Sequence, residues 1–560
     1  MADFISTSVS GLSSVQRALD VLSHNIANAY TEGFSRQTVS LVTRPAQETG
    51  QGAIGSGSRI AGIARTFDQF LGQTLQTAMT EQGRLAARQD VLGMMDDLIG
   101  GQAGNLNAWM SDFFNAAQDV ANNPSDVAVR TTFLGQATLM TQRVQSLDRQ
   151  LAALDQLVGR RATQAVQDIN GMTKKLADLN GRILDMRNRF PDQEPNDLLD
   201  ERDLVLRNLS SKLDIQTYED GQGNVQVNLS NGLPLVLADR NIPLGVMASG
   251  TQLAITFDGQ DVSGYIGGGE LGGLLQVKRD ALDPQRAELG RVAFSLAQRV
   301  NEIHRQGEGL DSLDGVADGR DLFKAPVPGG GSANYLALNA FIGADRVEPS
   351  ASGVTVAIAN VAQLKANDFA LRYEGGGWQL YRLGESQPMQ PVTPGVIDLA
   401  SSEGIKIDAS SLPATPGAGQ PREVILRPMG GVMASFSLAI QDPRQIAAAV
   451  PGGGAGDNRN MLALASIASA EDVVGGTQSL SSAFTQSQAA FGGQARANKV
   501  SLDAQDIVVR QLRDRRESIV GVNLDEEAAH LMRLQNHYMA LSKSLSVADN
   551  LFQSLLQAAS

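Results

Sequence analysis

SGLSSVQRALDVLSHNIANAYTEGFSRQ, Ser10 to Gln37, decides how this 560-residue chain is laid out. Its first half belongs to a helical beat. Ile5, Leu12, Leu19 and Ile26 fall seven apart, and Ser8, Val15, Leu22 and Ala29 follow three residues behind. That is the seam of a helix that packs on another helix. The second half stops the beat. Asn25, Asn28 and Thr31 can bond local backbone, and Gly33 offers the positive φ that a tight turn needs. The helix should end here and the chain turn away.

A matching seam lies at the other end. Leu524, Leu531, Tyr538, Leu545 and Phe552 fall seven apart, and Leu534, Leu541, Ala548 and Leu555 follow in a second row, with Glu527 its one polar exception. Gly521 breaks the preceding helix, Asn523 can cap, and Glu526 stands where a capping box places an acid. Asp525 to Glu527 suit the positive end of the helix dipole. The helix would run for ~50 Å at ~1.5 Å per residue. Such seams pack either on their own domain or on neighbouring subunits. Flanks of Ser, Ala, Asn and Gln leave room for several helices to crowd together.

Between the ends the reading is nested. Residues 67–100 and 105–122 read as helices. Ser125 can cap a very long helix ending at Phe190-Pro191, and 197–213 is a shorter one. The period then changes to two: 215–219, 225–229 and 233–237 read as a strand meander that 251–259 joins. Helix returns after a glycine cluster at 267–273, with Pro284 marking a kink or restart. From 326 to 440 the chain is rich in Gly and Pro, with short β-type runs at 354–360, 369–375, 378–383 and 435–441. Residues 450–458 read as a linker, and helix resumes to about 519.

The expected fold is mainly α with β insertions: a long helical bundle or coiled coil with paired N- and C-terminal helices, plus a β-rich outer part. We divide it into a terminal coiled-coil domain (1–40 and 520–560), a helical axial domain (41–212, 271–325 and 441–519), a small β meander module (213–270) and an outer β domain (326–440).

Composition narrows the function. Lys plus Arg number 46 against 60 Asp plus Glu, a net charge of −14, which argues against nucleic acid as a partner. No stretch approaches the ~20 apolar residues of a membrane span. Cysteine is absent, so thiolate chemistry, disulfides and Cys-ligated metals are excluded. That suits a cytoplasmic protein, or one that travels unfolded through a channel. The first residues, MADFISTSVSGLSS, lack the basic and apolar regions of a cleavable signal.

Catalytic groups do not converge. His24 reads as a helix-end residue. His304 lies near a helix C-terminus, where a cation is favourable. His530 and His537 are ~10.5 Å apart in rise, too far to share a metal. No HExxH, GxSxG or Walker A run occurs. GGGELGG lacks the preceding strand of a phosphate loop, and the acids at 311, 314, 318 and 321 miss calcium-loop spacing. No catalytic residue, metal or cofactor is expected. The competing reading is a secreted enzyme or effector with a coiled-coil body, such as a hydrolase hidden in 326–440, yet that segment has no histidine.

Residues 10–37 resemble the N-terminal signature of bacterial flagellar axial proteins. Ser10, Gly11, Leu12, Asn25, Ile26, Ala27, Asn28, Thr31, Gly33, Phe34, Ser35 and Arg36 match it; His24 and Tyr30 stand where Asn is usual. Gly521 to Leu556, Leu271 to Gly307 and Asn196 to Ile215 resemble the hook-associated protein 1 family, which forms the hook–filament junction. The alternative within this class is a hook or rod protein. The resemblance implies a non-enzymatic tube protein, exported to the flagellum outside the cell by the flagellar type III route with an uncleaved N-terminus. Its implied partners are itself in a ring or helical tube, the hook protein, the second hook–filament junction protein, and an export chaperone on the C-terminal helix. The seam residues above, from Ile5 to Ile26 and from Leu524 to Leu555, are then the subunit and chaperone interface.

Overall fold

The computed structural model describes residues 2–559 apart from 45–46, 50–51, 55–56, 102–104, 192, 250–251, 325–338, 342–353, 386 and 417–422. Its helices are α1 (Ala2–Ala27), α2 (Gln69–Gly100), α3 (Leu106–Asn122), α4 (Val127–Arg189), α5 (Asn196–Lys212), α6 (Gly269–Val277), α7 (Asp283–His304), the short α8 (Val432–Ser435), α9 (Arg459–Ser466), α10 (Leu480–Val520) and α11 (Leu524–Ala559).

α4 is the spine. Its 63 residues span ~95 Å. A buried stripe that includes Phe133, Ala137, Val144, Leu151, Val158, Ile169, Leu176 and Ile183 keeps the whole length against its neighbours. The N-cap is Asp126, whose carboxylate accepts the Ala128 amide at 2.7 Å, so the cap lies one residue beyond the expected Ser125. At the far end Phe190 and Pro191 stop the helix. One continuous apolar core links α2 to α7, α9 and α10 with the strands as far as Leu426.

α6 and α7 are joined by a π-helical turn, Lys278–Leu282, with Pro284 in the first turn of α7. That is the expected restart. Strands Ile215–Glu219, Val225–Leu229, Pro234–Leu237 and Arg240–Asn241 form the meander. Gln252–Phe257 does not join it. It pairs antiparallel with Leu244–Ser249, its neighbour in the chain, in a separate three-stranded sheet.

Within 326–440, residues 326–338, 342–353, 386 and 417–422 lie outside the described residues. The rest forms a five-stranded and a three-stranded antiparallel sheet. The run at 435–441 is not part of them. Only Ser437–Leu438 is strand, and it pairs with Phe323–Lys324 beside the helical body. There Phe436 stacks on Phe323, so burial against the bundle, rather than sheet propensity, places it.

A chain of three ion pairs ties this β-rich region to the spine. Arg427 donates to Asp283 at 2.8 Å, and Lys278 reaches both Asp283 (3.1 Å) and Asp155 of α4 (2.5 Å). Asp368 lies 3.7 Å from Arg427.

Candidate functional site

α1 and α11 pack antiparallel, Gly11 against Leu541 and Asn25 against Glu527. A Cβ at position 11 would stand 3.3 Å from both Leu541 δ-carbons, so the missing side chain lets the helices close. The other face of α1 lies on the hairpin of Gln37–Thr43 and Ser58–Arg65.

The pair has a thin core. Val15, Val21, Leu22 and Ala548 are its buried apolar residues among those described. Buried hydroxyls lie on the hairpin side of α1: Ser10 and Ser14 donate back to the Thr7 and Ser10 carbonyls, and Ser14 accepts from Ser58 at 3.3 Å. Of the seam positions, Ile5, Leu12, Leu19, Ile26, Leu531, Leu534, Leu541 and Leu545 are half-buried, and Leu524 and Tyr538 are exposed. The side chains of Phe552 and Leu555 lie outside the described residues. A further stripe, absent from the sequence reading, faces outward: Met532 and Met539 are 61% and 60% exposed, with Val9, Val547 and Leu551 exposed nearby.

The polar exception in the seam is, with Ala548, one of two buried residues of α11 among those described. Glu527 is 1% exposed. Its Oε1 accepts from Arg36 Nε at 2.6 Å and its Oε2 from Asn25 Nδ2 at 3.3 Å. Asn25 also bonds Gln37 both ways, donating to its carbonyl and accepting its amide, each at 2.9 Å. The Arg36 amide donates to the Val520 carbonyl at the end of α10 at 2.8 Å. One turn thus fastens α1, α10 and α11 together.

α5 is the socket for that turn. The Ser35 amide donates to Asp200 at 2.8 Å and Gln37 Nε2 to Asp197 at 2.8 Å. Asn196 donates to the Ile63 carbonyl at 3.0 Å. Arg65 bridges Asp200 (2.8 Å) and Asp203 (2.6 Å). Burial pulls the Arg65 pKa down, but Asp203 and Asp200 together outweigh it and leave it above the usual guanidinium value. These acids come from the DLLDERD run of α5. Their spacing on one helix face was visible in the sequence, but their basic partner was not.

The turn itself forms as its residue types require. Asn28 donates to the His24 carbonyl at 3.0 Å, and Thr31 donates to Asn28 Oδ1 at 3.1 Å. Gly33 has φ +90°, and a Cβ there would stand 3.1 Å from Leu204 Cβ, so conformation and space both demand glycine. His24 meets Phe34 edge-on at 5.3 Å and Asp197 at 3.3 Å, while Tyr30 points to solvent, 92% exposed.

The other singled-out residues are structural. His304 is not a helix-end cation. It is fully buried, and burial lowers its pKa. Its neutral ring bridges two segments, Nδ1–H donating to the Arg320 carbonyl at 2.8 Å and Nε2 accepting the Ala447 amide at 3.1 Å. His530 and His537 are exposed on α11. The glycine cluster packs α6 on α2, where a Cβ on Gly273 would overlap the Arg84 carbonyl. The acidic loop closes on itself through Arg320–Asp311 and Arg305–Asp321. Among the described residues no group of three or more His, Asp or Glu is placed to hold a metal, and no helix is long and apolar enough to cross a membrane. The site can hold and orient helices.

Comparison with known proteins agrees with this geometry. Residues 92–323 match the helical domain of flagellar hook-associated protein FlgK. Residues 5–34 match the flagella basal body rod protein family and 517–558 the C-terminal family of the flagellar basal body rod proteins FlgEFG. The flagellar hook-associated protein 1 of Escherichia coli is 27% identical over 99% of this chain and 100% of its own length, as is that of Salmonella typhimurium. That of Bacillus subtilis is 23% identical over 54% of this chain and 67% of its own. The solved flagellar hook junction protein FlgK of Burkholderia pseudomallei shares the fold, with a TM-score of 0.68 at 22% identity over 80% of this chain and 100% of that one. With end motifs, central helices and fold all in one register, the chain is similar along its length to the flagellar hook-associated protein 1 family.

Proposed function

We propose that the chain works in the hook–filament junction as a scaffold rather than a catalyst, self-assembling through α1 and α11 into a ring or helical tube. Residues 1–40 and 520–560 line that tube, the axial helices with the 213–270 meander form its wall, and 326–440 faces outward. Hook protein lies on one side and the second hook–filament junction protein on the other. Before export a chaperone covers α11, and the chain leaves by the flagellar type III route with its N-terminal segment retained.

The observation that carries this reading is the incompleteness of the terminal pair. Two helices of 26 and 36 residues bury few apolar side chains between them and leave Met532, Met539, Val547 and Leu551 in water. Amphipathic helices gain their stability mainly from packing the apolar stripe, so neighbouring copies supply what is missing. Met539→Asp tests it. In the free chain the new carboxylate stays in water, and stability changes by less than about 0.5 kcal/mol. In a tube it would be buried unpaired. Calorimetry should show an unchanged melting midpoint, while electron microscopy shows hooks without filaments. Filaments attached as in the parent would refute the reading. Mass spectrometry of the chain from purified flagella checks the export route: its N-terminus should be Met1 or Ala2.

A further inference from the structure

Beside the turn, the cleft between α2, α5 and the end of α10 holds more positive charge than the chain answers. A cavity of about 250 Å³ opens there, lined by Arg202, Arg207 and Arg516. Arg202 is 4% exposed; one of its Nη groups donates to the Gly223 carbonyl at 2.8 Å, but its buried Nε has no partner. Arg207 makes no hydrogen bond or ion pair among the described residues, and burial, then the Arg516 charge beside it, pulls its pKa down to about 10. Arg516 makes a single long bond, 3.4 Å, to the Gly33 carbonyl. Five arginines line the cavity (Arg65, Arg187, Arg202, Arg207 and Arg516) against three carboxylates: Asp203 pairs with Arg65 at 2.6 Å, Asp68 accepts the Leu71 amide at 3.0 Å, and Glu219 makes no ion pair among the described residues. Phe67 and Tyr218 stand at the rim, 52% and 55% exposed, with Phe70 80% exposed beside them. Half-buried guanidiniums are unfavourable until an anion reaches them. Arginine beside exposed aromatic rings is also the composition of an interface hot spot.

We propose that this cavity receives carboxylate side chains from a neighbouring copy of the chain, namely Asp525 and Glu526 of that copy's α11. The proposal rests on the tube reading given above. Asp525 and Glu526 are exposed and make no ion pair within their own copy among the described residues. Leu524 beside them is also exposed and suits the aromatic rim. Val520 lines the cavity and α11 begins four residues later, so the acidic turn and the cavity lie at one level of the molecule. Rotation about a tube axis brings features of one level side by side in adjacent copies, and such a head-to-tail contact closes into a ring.

Charge reversal tests this. The parent chain, Arg516→Glu, Glu526→Arg and the double variant are each expressed in a strain lacking the chain. The readout is the fraction of hooks that keep a filament after shear. Arg516→Glu supplies an internal carboxylate and repels the neighbour's, and Glu526→Arg brings a cation to a cationic cavity. Each single change should cut filament retention several-fold, and the double variant, with both charges exchanged, should recover most of it. Singles that match the parent, or a double no better than its worse single, overturn the proposal. So does a loss that merely follows a lowered melting midpoint of the purified variant. Immunogold labelling of the parent separates the two readings: a parent chain absent from the junction overturns the tube reading and this proposal with it, whereas a labelled junction with unaffected singles overturns the cavity proposal alone.

Discussion

Glu527 shows how one residue can break a pattern to make a structure. A leucine there would complete the second row of the seam. It would also leave the Arg36 guanidinium and the Asn25 amide without the carboxylate they share. Glu527→Leu should therefore destabilise the terminal pair by roughly 1–3 kcal/mol despite its added apolar area. Hydrogen exchange would show faster amides across 30–37, with α4 unchanged. Sequence periodicity alone marks Glu527 as a flaw, because its partner Arg36 is 491 residues away. The turn was legible from Asn28, Thr31 and Gly33, whose bonds are local. His304 was misread for the complementary reason: a helix-end position favours a cation, but the segment around Ala447 covers the ring and removes water. Its folded pKa lies below the unfolded value of about 6.5, so the folded state binds fewer protons in that window. Its contribution is full above pH ~6.5 and is lost as the pH falls through the folded pKa. His304→Gln should flatten that acid limb in pH-dependent melting.

At the scale of elements, helices were legible wherever an apolar stripe met a cap or a breaker. α2, α3 and α5 begin and end within about two residues of expectation, the usual uncertainty of helix ends, and α11 begins where its cap placed it. Strands were less legible, because pairing is chosen by neighbours. Gln252–Phe257 and Ser437–Leu438 have ordinary strand sequences, and nothing local says which edge each will take. α4 offers a direct test of what a helix tolerates. Gly135, Gly159 and Gly171 lie inside it, and a Cβ on any of them would meet nothing within 4 Å. Replacing each by alanine should stabilise the chain by about 0.5–1 kcal/mol, read as a higher urea midpoint. A loss of stability would show that these positions serve bending rather than packing.

Over the whole molecule, a buried charge cluster joins the β-rich region to the spine. Burial pushes the Asp368 carboxyl up to about 7, despite the pull of Arg427. A raised carboxyl pKa means that the folded state holds its proton longer than the unfolded chain. This contribution is therefore present below pH ~3.9 and is lost as the pH rises through about 7. Asp368→Asn should remove that fall and leave the His304 limb intact, so two variants separate two slopes in one series of melting curves.

The antiparallel pairing of α1 with α11 also sets an order of events. Asn25 and Glu527 are 502 positions apart, so their contact closes nearly the whole chain into a loop. Contacts of such separation form late, because the closure entropy must be met first. Whichever end emerges first into a new compartment, its partner helix is still missing until the other end arrives. A half-delivered or truncated chain therefore has no terminal pair at all. On the export route and tube assembly proposed above, the surface that neighbouring copies recognise would be made only by a complete molecule, and pairing of the two ends would act as a check that delivery has finished.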